Sequence, residues 1–304
     1  MESKNNWKAW LYLAPVIVLM LIFTIYPLVH TIGISFLKNY DYYSNETFFH
    51  SVFKSDGGLT LDNFKQVITY DNFIQYALPN TLIITFVTVP ISIALSLLIA
   101  VGLNSIKKLN KIFQTIFFMP YVTNSIAVGM VFAVIFAGTN GLWNTIFGLG
   151  SKNWIDMNAP RSSAMFALCV YIVWHALPYK ILIFLSGLQN IDKQYYQAAK
   201  IDSASKFKTF MRVTVPLLSP QIMYIAITSF IGSFKEYSSV VAMFKDKKGT
   251  VSANKPNMYT VVYYIYDNIA DHPSWASAAA VLLFILIMIF TILQRKVAEK
   301  RVHY

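Results

Sequence analysis

The sequence carries little charge. Only 13% of its 304 residues are Asp, Glu, Lys or Arg, whereas 56% are hydrophobic, and soluble domains carry charge on about a quarter of their residues. A water-soluble protein of this length could not cover its surface with so few charges. This excludes an ordinary soluble enzyme or binding domain, and the mean hydropathy of +0.50 indicates a protein that lies in a membrane.

Groups that bind metals or form disulfides are also scarce. The single cysteine, Cys169, excludes an internal disulfide framework and a cysteine-based zinc site. The five histidines show no ligand spacing such as H-x-x-x-H, so no metal site is predicted. The net charge is +11, but the basic residues lie between apolar segments rather than along one face, which does not favour nucleic acid as a partner.

Long apolar runs dominate the chain. Six of them could cross a hydrocarbon core of about 30 Å, which takes about 20 helical residues. They are Leu11–Phe36, Pro79–Leu103, Ile112–Ala137, Ala164–Gly187, Pro216–Phe244 and Trp275–Gln294. Backbone amides in hydrocarbon must bond within their own segment, and the alternation of a β-barrel is absent. We therefore predict an all-α integral membrane protein with six transmembrane helices, forming a single transmembrane domain over residues 1–304.

The distribution of basic residues predicts the orientation. With the N-terminus in the cytoplasm, the inner segments hold 14 Lys and Arg residues against 4 acidic residues, and the outer loops hold 9 of each kind. Cytoplasmic loops carry the excess of Lys and Arg. Both termini are therefore predicted to be cytoplasmic, and the long outer loop from Lys38 to Leu78 is expected to pack as a small external cap.

The inner loop between spans four and five, residues 188–215, is the most informative segment. Tyr195 to Ile201 suits a short helix, and Asp202 suits the N-cap of a second one. The small side chains of its alanines would let another protein approach the backbone of the loop closely. By pattern alone, an ordinary amphipathic loop of any membrane protein is an equally good interpretation.

This loop resembles the Glu-Ala-Ala signature of the permeases of ATP-binding cassette (ABC) importers, a pattern of roughly E-A-A-x-x-D-G-A followed at a distance by proline. The matching residues are Gln197, Ala198, Ala199, Asp202, Ser203, Ala204 and Pro216. Glutamine replaces the usual glutamate and serine the usual glycine. If position 203 adopts a left-handed conformation, serine there costs about 1 kcal/mol.

The resemblance covers most of the chain. Trp7 to Pro27 resembles the family's first span, Phe118 to Asn144 its third span with the following turn, and Trp275 to Ala280 the start of its last span. The most similar subgroup is the maltose-type one, which imports oligosaccharides or glycerol-phosphate compounds. The resemblance implies the type I ABC importer permease fold in a bacterial cytoplasmic membrane.

The resemblance also implies a mechanism and partners. The loop would dock as a coupling helix on a separate ATPase through Tyr196, Gln197, Ala198, Ala199, Asp202, Ser203, Ala204 and Phe207. The implied partners are a second homologous permease, two ATPase subunits and an extracytoplasmic solute-binding protein. No G-x-x-x-x-G-K-[ST] phosphate loop occurs in the chain. ATP and Mg²⁺ would therefore bind the partner ATPase, and this chain would be a non-catalytic transport subunit without a cofactor of its own.

Polar residues within the predicted spans are candidates for the solute path, because charges at membrane depth usually face a pathway or each other. The candidates are Asn124, Ser125, Trp174, Lys180, Ser233, Lys235, Glu236 and Tyr237. Lys235 and Glu236 are expected in the middle of span five, where they could instead pair with the partner subunit. Lys180 could instead snorkel to the interface, and Asn124 and Ser125 could instead bond neighbouring helices.

Two other functions compete with the importer. An ion-driven secondary transporter commonly shows internal repeats and broken helices around ion sites, and no repeat is evident here. A membrane enzyme would need a polar catalytic constellation at an interface, and none stands out. Within the importer family, a non-sugar solute such as glycerol 3-phosphate is the alternative to a sugar.

Overall fold

A computed structural model of the chain describes residues 6–38, 40–43, 58–70, 72–106, 110–156, 158–244 and 258–301. Apart from one isolated antiparallel bridge between Leu37 and Leu59, these residues form helices, turns and loops. The predicted all-α membrane fold is confirmed. The chain forms two compact units, one of residues 1–73 and 264–285 and one of residues 74–263 and 286–304.

The first unit begins with a long apolar helix. Its helices are α1 (Asn6–Met20), a π-helical turn (Leu21–Ile25), α2 (Tyr26–Ser35), α3 (Asp62–Thr69), most of α14 (Val261–Asn268) and the first half of α15 (Pro273–Arg301). Asn63 fastens α3 to the end of α2, because its buried amide donates to the carbonyls of Ser35 and Leu37 at 2.9 Å each. Helix α3 belongs to the loop that was predicted to pack as an external cap, and residues 44–57 of this loop lie outside the described residues. The external position of the loop stays a prediction.

The second unit contains the remaining helices. They are a π-helical turn (Phe73–Ala77) apart from its first residue, α4 (Leu78–Ser105), α5 (Asn110–Val122), α6 (Ser125–Ile135), α7 (Leu142–Phe147), α8 (Arg161–Gln189), α9 (Lys193–Ile201), α10 (Lys206–Thr209), a π-helical turn (Phe210–Thr214), α11 (Val215–Leu217), α12 (Ser219–Phe234) and α13 (Ser238–Phe244). Its core joins α4, α8 and α12 through Leu97, Ala100, Leu103, Ile181, Phe184, Leu185, Leu188, Leu218 and Ile225. Such packing stabilises a membrane bundle mainly through van der Waals contact.

Membrane crossing follows from helix length and composition. Among the described residues, four helical stretches are long and apolar enough to span: Trp10–Ser35, Phe73–Ser105, Arg161–Gln189 and Pro273–Val297. Two bent pairs raise the number to six if each pair counts as one span. The four stretches overlap the predicted first, second, fourth and sixth spans.

The third and fifth predicted spans are not continuous helices, which corrects the prediction. The third bends by 106° between Val122 and Ser125, and the fifth bends by 68° at Leu218. Asn124 explains the first break, because its side chain caps the amides of Ile126 and Ala127 at 2.9 and 3.3 Å and so starts a new helix. A hydropathy run does not reveal such a break, since the helices on both sides of it are apolar.

The fifth predicted span is also interrupted near its C-terminal end, which corrects the prediction of a helix through Phe244. Helix α12 ends at Phe234, and Lys235 to Tyr237 are not helical. The Glu236 carboxylate accepts a hydrogen bond from the Ser239 amide at 3.0 Å, and its carbonyl accepts one from the Thr260 hydroxyl at 2.8 Å. These two hydrogen bonds hold the non-helical residues between α12 and α13. Lys235 and Glu236 therefore lie at a helix break and not in the middle of the fifth span.

Candidate coupling surface and solute cavity

The predicted coupling helix is α9. Asp192 caps its start, because its carboxylate accepts from the Gln194 amide at 2.9 Å. One side of the helix faces its own chain: Ala199 is buried, and the Tyr196 hydroxyl lies 3.3 Å from the Thr214 hydroxyl. The contacts of Tyr196 and Ala199 therefore orient the rest of the helix.

The end of α9 is a Schellman motif, in which the last turn closes through a left-handed residue. Asp202 is the C-cap, Ser203 has φ 50°, and the Ala204 amide donates to the Ala199 carbonyl at 2.9 Å. The Ser203 amide donates to the Lys200 carbonyl at 3.0 Å. This geometry explains why the related pattern has glycine at this position.

Asp202 is therefore not the N-cap of the second helix, which corrects that prediction. Ser205 caps α10, because its hydroxyl accepts from the Lys208 amide at 3.3 Å. Asp202 is the C-cap of the first helix, because the chain turns at the left-handed Ser203. The N-cap of the next helix is therefore Ser205, three residues after the predicted one.

The opposite side of the segment is open. Gln197, Ala198, Asp202 and Ser203 are exposed and Ala204 is half-buried. Two large apolar side chains stand out from this surface: Ile201 is 84% exposed and Phe207 is 70% exposed. We define Gln197, Ala198, Ile201, Asp202 and Phe207 as the coupling surface. Ile201 was missed by the sequence prediction, although it lies four residues after Gln197 and so on the same helical face.

Replacing Ser203 by glycine is expected to stabilise the loop by about 1 kcal/mol, because glycine adopts the left-handed conformation without the steric cost of a Cβ atom. The exchange of the Ala204 amide hydrogen for deuterium should then slow about fivefold. The matched variant Ser205→Ala removes the cap of α10 and should accelerate exchange in the loop. If the Ala204 amide exchanges at an unchanged rate in Ser203→Gly, the left-handed conformation of Ser203 does not destabilise the loop.

A polar cavity of about 270 Å³ lies among α4, α8 and α12. Its polar lining is Thr88, Ser92, His175, Lys180, Ser229, Ser233, Glu236 and Ser239. The cavity therefore brings together three of the predicted path residues: Lys180, Ser233 and Glu236. Hydroxyl groups make up most of the polar lining, and they can both donate and accept hydrogen bonds.

Lys180 lies inside the bundle and does not snorkel. Only 5% of the residue is exposed, and its ammonium donates to the Ser92 hydroxyl on α4. Ser233 is also buried, and its hydroxyl has no hydrogen-bond partner among the described residues. A buried hydroxyl without a partner loses hydrogen bonding unless water or a ligand supplies it.

The other predicted path residues do not line this cavity. Lys235 is exposed, and the Tyr237 ring packs against Tyr263 with ring centroids 5.3 Å apart. Trp174 packs against Phe132 at 5.2 Å.

Asn124 and Ser125 serve the break in the third span. Asn124 caps α6, and the Ser125 carbonyl accepts from the Tyr171 hydroxyl at 2.7 Å. The Ser125 contact links α6 to α8, which agrees with the alternative of bonding between helices.

The cavity residues contributed by α4 were missed by the sequence prediction. Hydroxyl residues recur on this helix at positions that share one face: Thr81, Thr85, Thr88, Ser92 and Ser96. All five are buried. Spacings of three and four residues place side chains on one side of a helix, so that this stripe was visible in the sequence as a polar face of the second span.

Three tyrosines form an open aromatic surface at the level of Lys180. The rings of Tyr121 and Tyr179 stack with centroids 5.9 Å apart, and the hydroxyls of Tyr179 and Tyr224 lie 3.2 Å apart. Tyr121 and Tyr224 are exposed. Lipid chains offer no hydrogen-bond partner to a phenol hydroxyl. This surface therefore suits a polar path or a protein neighbour better than lipid.

The model of the family described as "Binding-protein-dependent transport system inner membrane component" matches residues 92–304. This range includes the coupling surface and the parts of α8 and α12 that line the cavity.

Individual relatives and a solved structure are similar over nearly the whole chain. The arabinooligosaccharides transport system permease protein AraP of Halalkalibacterium halodurans is 31% identical, over 93% of this chain and 84% of its own length. The lactose transport system permease protein LacF of Rhizobium radiobacter is 29% identical, over 93% and 90%. A crystal structure of a bacterial alginate ABC transporter in complex with an alginate pentasaccharide-bound periplasmic protein contains a chain with a TM-score of 0.78, at 17% identity, over 98% of this chain and 96% of that one.

Proposed function

The chain belongs to the family of binding-protein-dependent transport system inner membrane components, and on this premise we propose that it is a permease subunit of an ATP-driven sugar importer. It is a multi-pass membrane protein and a non-catalytic transport component. It provides part of a gated path through alternating access, and the covalent chemistry of ATP hydrolysis takes place on another subunit.

The observation that carries the proposal is the hydroxyl-lined cavity within the apolar bundle. Polar groups inside a membrane are costly and mark substrate pathways. A sugar presents many hydroxyls that both donate and accept, and serine and threonine side chains match them. The open tyrosine surface of Tyr121, Tyr179 and Tyr224 offers ring faces, which suit the apolar faces of a sugar ring.

The coupling surface supports an ATPase partner. It is exposed and includes two large apolar side chains, Ile201 and Phe207, that extend into solvent. Backbone hydrogen bonds at the end of α9 fix the conformation of the segment that carries them. The chain contains no phosphate-binding loop. We therefore place ATP and Mg²⁺ on two separate ATPase subunits that dock on the cytoplasmic side, and we place both termini of this chain on the same side.

A homologous permease and an extracytoplasmic binding protein complete the proposed assembly. The alginate transporter of similar fold is in complex with a periplasmic protein that binds an alginate pentasaccharide. The permeases AraP and LacF are named for arabinooligosaccharides and lactose. These relatives favour an oligosaccharide as the solute. The alternative is a phosphorylated polyol, because the permease UgpA of Agrobacterium fabrum, at 25% identity, is named for sn-glycerol 3-phosphate.

Reconstitution tests the proposal. The chain is co-purified with its partner permease and ATPase and placed in liposomes, and ATP hydrolysis and oligosaccharide uptake are measured with and without the binding protein. We expect the loaded binding protein to stimulate both. Uptake that needs an ion gradient but no ATPase would support a secondary transporter, and group transfer by the purified chain without ATP would support a membrane enzyme.

A further inference from the structure

We propose that Lys180 selects solutes that carry an anionic group, so that the path takes a sugar or polyol bearing a carboxylate or a phosphate. This inference rests on the proposed function, because it names the class of solute for the same cavity. Three features of the cavity lead to it: the burial of the ammonium, the lack of a matching carboxylate, and a buried hydroxyl without a partner.

The ammonium of Lys180 is buried without a counter-charge. The residue is 5% exposed and lies in α8, within the apolar bundle. Its ammonium donates to the neutral Ser92 hydroxyl, and no carboxylate among the described residues forms an ion pair with it. Buried charges in proteins are otherwise paired, which leaves this cation suited to an anion that enters the cavity.

Glu236 does not fill this role, because it lies at a different depth. Gly187 of α8 is in close contact with Leu218 and Gln221, which fixes the relative level of α8 and α12. Lys180 is seven residues from Gly187, and Glu236 is 15 residues from Gln221. By the helical rise, the backbone of Lys180 lies about 10 Å from the level of Gly187, and the end of α12 at Phe234 lies about 20 Å from the level of Gln221. Glu236 follows this end, so its backbone lies about 10 Å beyond that of Lys180 along the bundle. The Glu236 carboxylate is moreover held by the Ser239 amide.

The cavity between these two charges suits the neutral part of such a solute. His175 and Ser233 line it, and the Ser233 hydroxyl is buried without a partner among the described residues. A solute with its anionic group at Lys180 could place hydroxyls at Ser233 and Glu236. The lining therefore matches a hydroxylated anion better than an apolar anion or a simple cation.

Binding to the assembled transporter without its binding protein tests this, because the binding protein would impose its own selectivity. The probes are digalacturonate, glycerol 3-phosphate and the neutral disaccharide maltose. In the unmodified complex we expect at least one anion to bind about tenfold more tightly than maltose, and Lys180→Met should remove this preference. Lys180→Arg should retain most of it, and Lys65→Gln, at an exposed lysine outside the spans, should leave all three affinities unchanged.

Each other outcome overturns the inference in a distinct way. If Lys180→Met weakens the binding of maltose and of the anions equally, Lys180 only links α4 to α8. If the unmodified complex imports neutral oligosaccharides with ATP but does not prefer either anion, the proposed function stands and the selectivity is wrong. If no solute is imported with ATP, the proposed function itself fails. The comparison of probes in the unmodified complex does not depend on whether a variant folds.

Discussion

Replacing Ala198 by glutamate is expected to abolish the stimulation of ATP hydrolysis by the loaded binding protein and to stop uptake. Ala198 lies on the exposed side of α9, in the coupling surface. Docking of an ATPase there would bury the new carboxylate without a partner, which costs enough to lower a coupled rate about tenfold or more. The measurement is ATP hydrolysis and solute uptake by the reconstituted transporter.

The choice of position decides what this experiment measures. Ala199 carries the same side chain but is buried against its own chain, and its carbonyl closes the turn at Ser203. Glutamate at position 199 would therefore disturb the folding of the loop as well as any docking. Ala198→Glu changes the docking surface while the capping bonds remain.

Val297→Glu is the matched control for Ala198→Glu. It adds the same charge at an exposed position of α15, on the side of the membrane that we propose to be cytoplasmic. We expect normal stimulation in this variant. If Ala198→Glu assembles with the ATPase and couples normally, the coupling surface has been placed wrongly.

The sequence predicts the spans from apolar length, but not their breaks. A run such as Ile112–Ala137 is apolar on both sides of the bend, and the bend depends on one capping side chain, Asn124. At the end of α12 the break depends on bonds made by Glu236 to Ser239 and Thr260. The bond to Thr260 joins residues distant in the sequence, which a local pattern cannot show.

The backbone geometry of the loop that carries the coupling surface was more predictable than the cavity. This geometry is local, because the hydrogen bonds of the turn at Ser203 join residues at most five positions apart. A short sequence pattern can therefore predict it. The cavity requires α4, α8 and α12 to pack together, and the sequence gives only the polar candidates on each helix. Lys180 illustrates the limit, because snorkelling or burial depends on the position of Ser92, 88 residues away.

Replacing Gly129 by alanine is expected to destabilise the protein by about 2 kcal/mol. Gly129 is buried in α6, where an added Cβ atom would overlap the Cβ atom of Ala242 and lie 3.4 Å from that residue's backbone. Overpacking of this kind costs about 1–3 kcal/mol because backbone must shift. The midpoint of thermal unfolding in detergent should fall by about 4 °C.

Gly102→Ala is the matched control for Gly129→Ala. Gly102 also lies within a long helix, α4, but an added Cβ atom there meets no atom within 4 Å. Because alanine favours a helix over glycine by about 1 kcal/mol, this variant should unfold at the same or a higher temperature. Opposite shifts in the two variants would show that α6 and α13 pack through Gly129, whereas equal shifts would mean that the close approach of the two helices is not needed for stability.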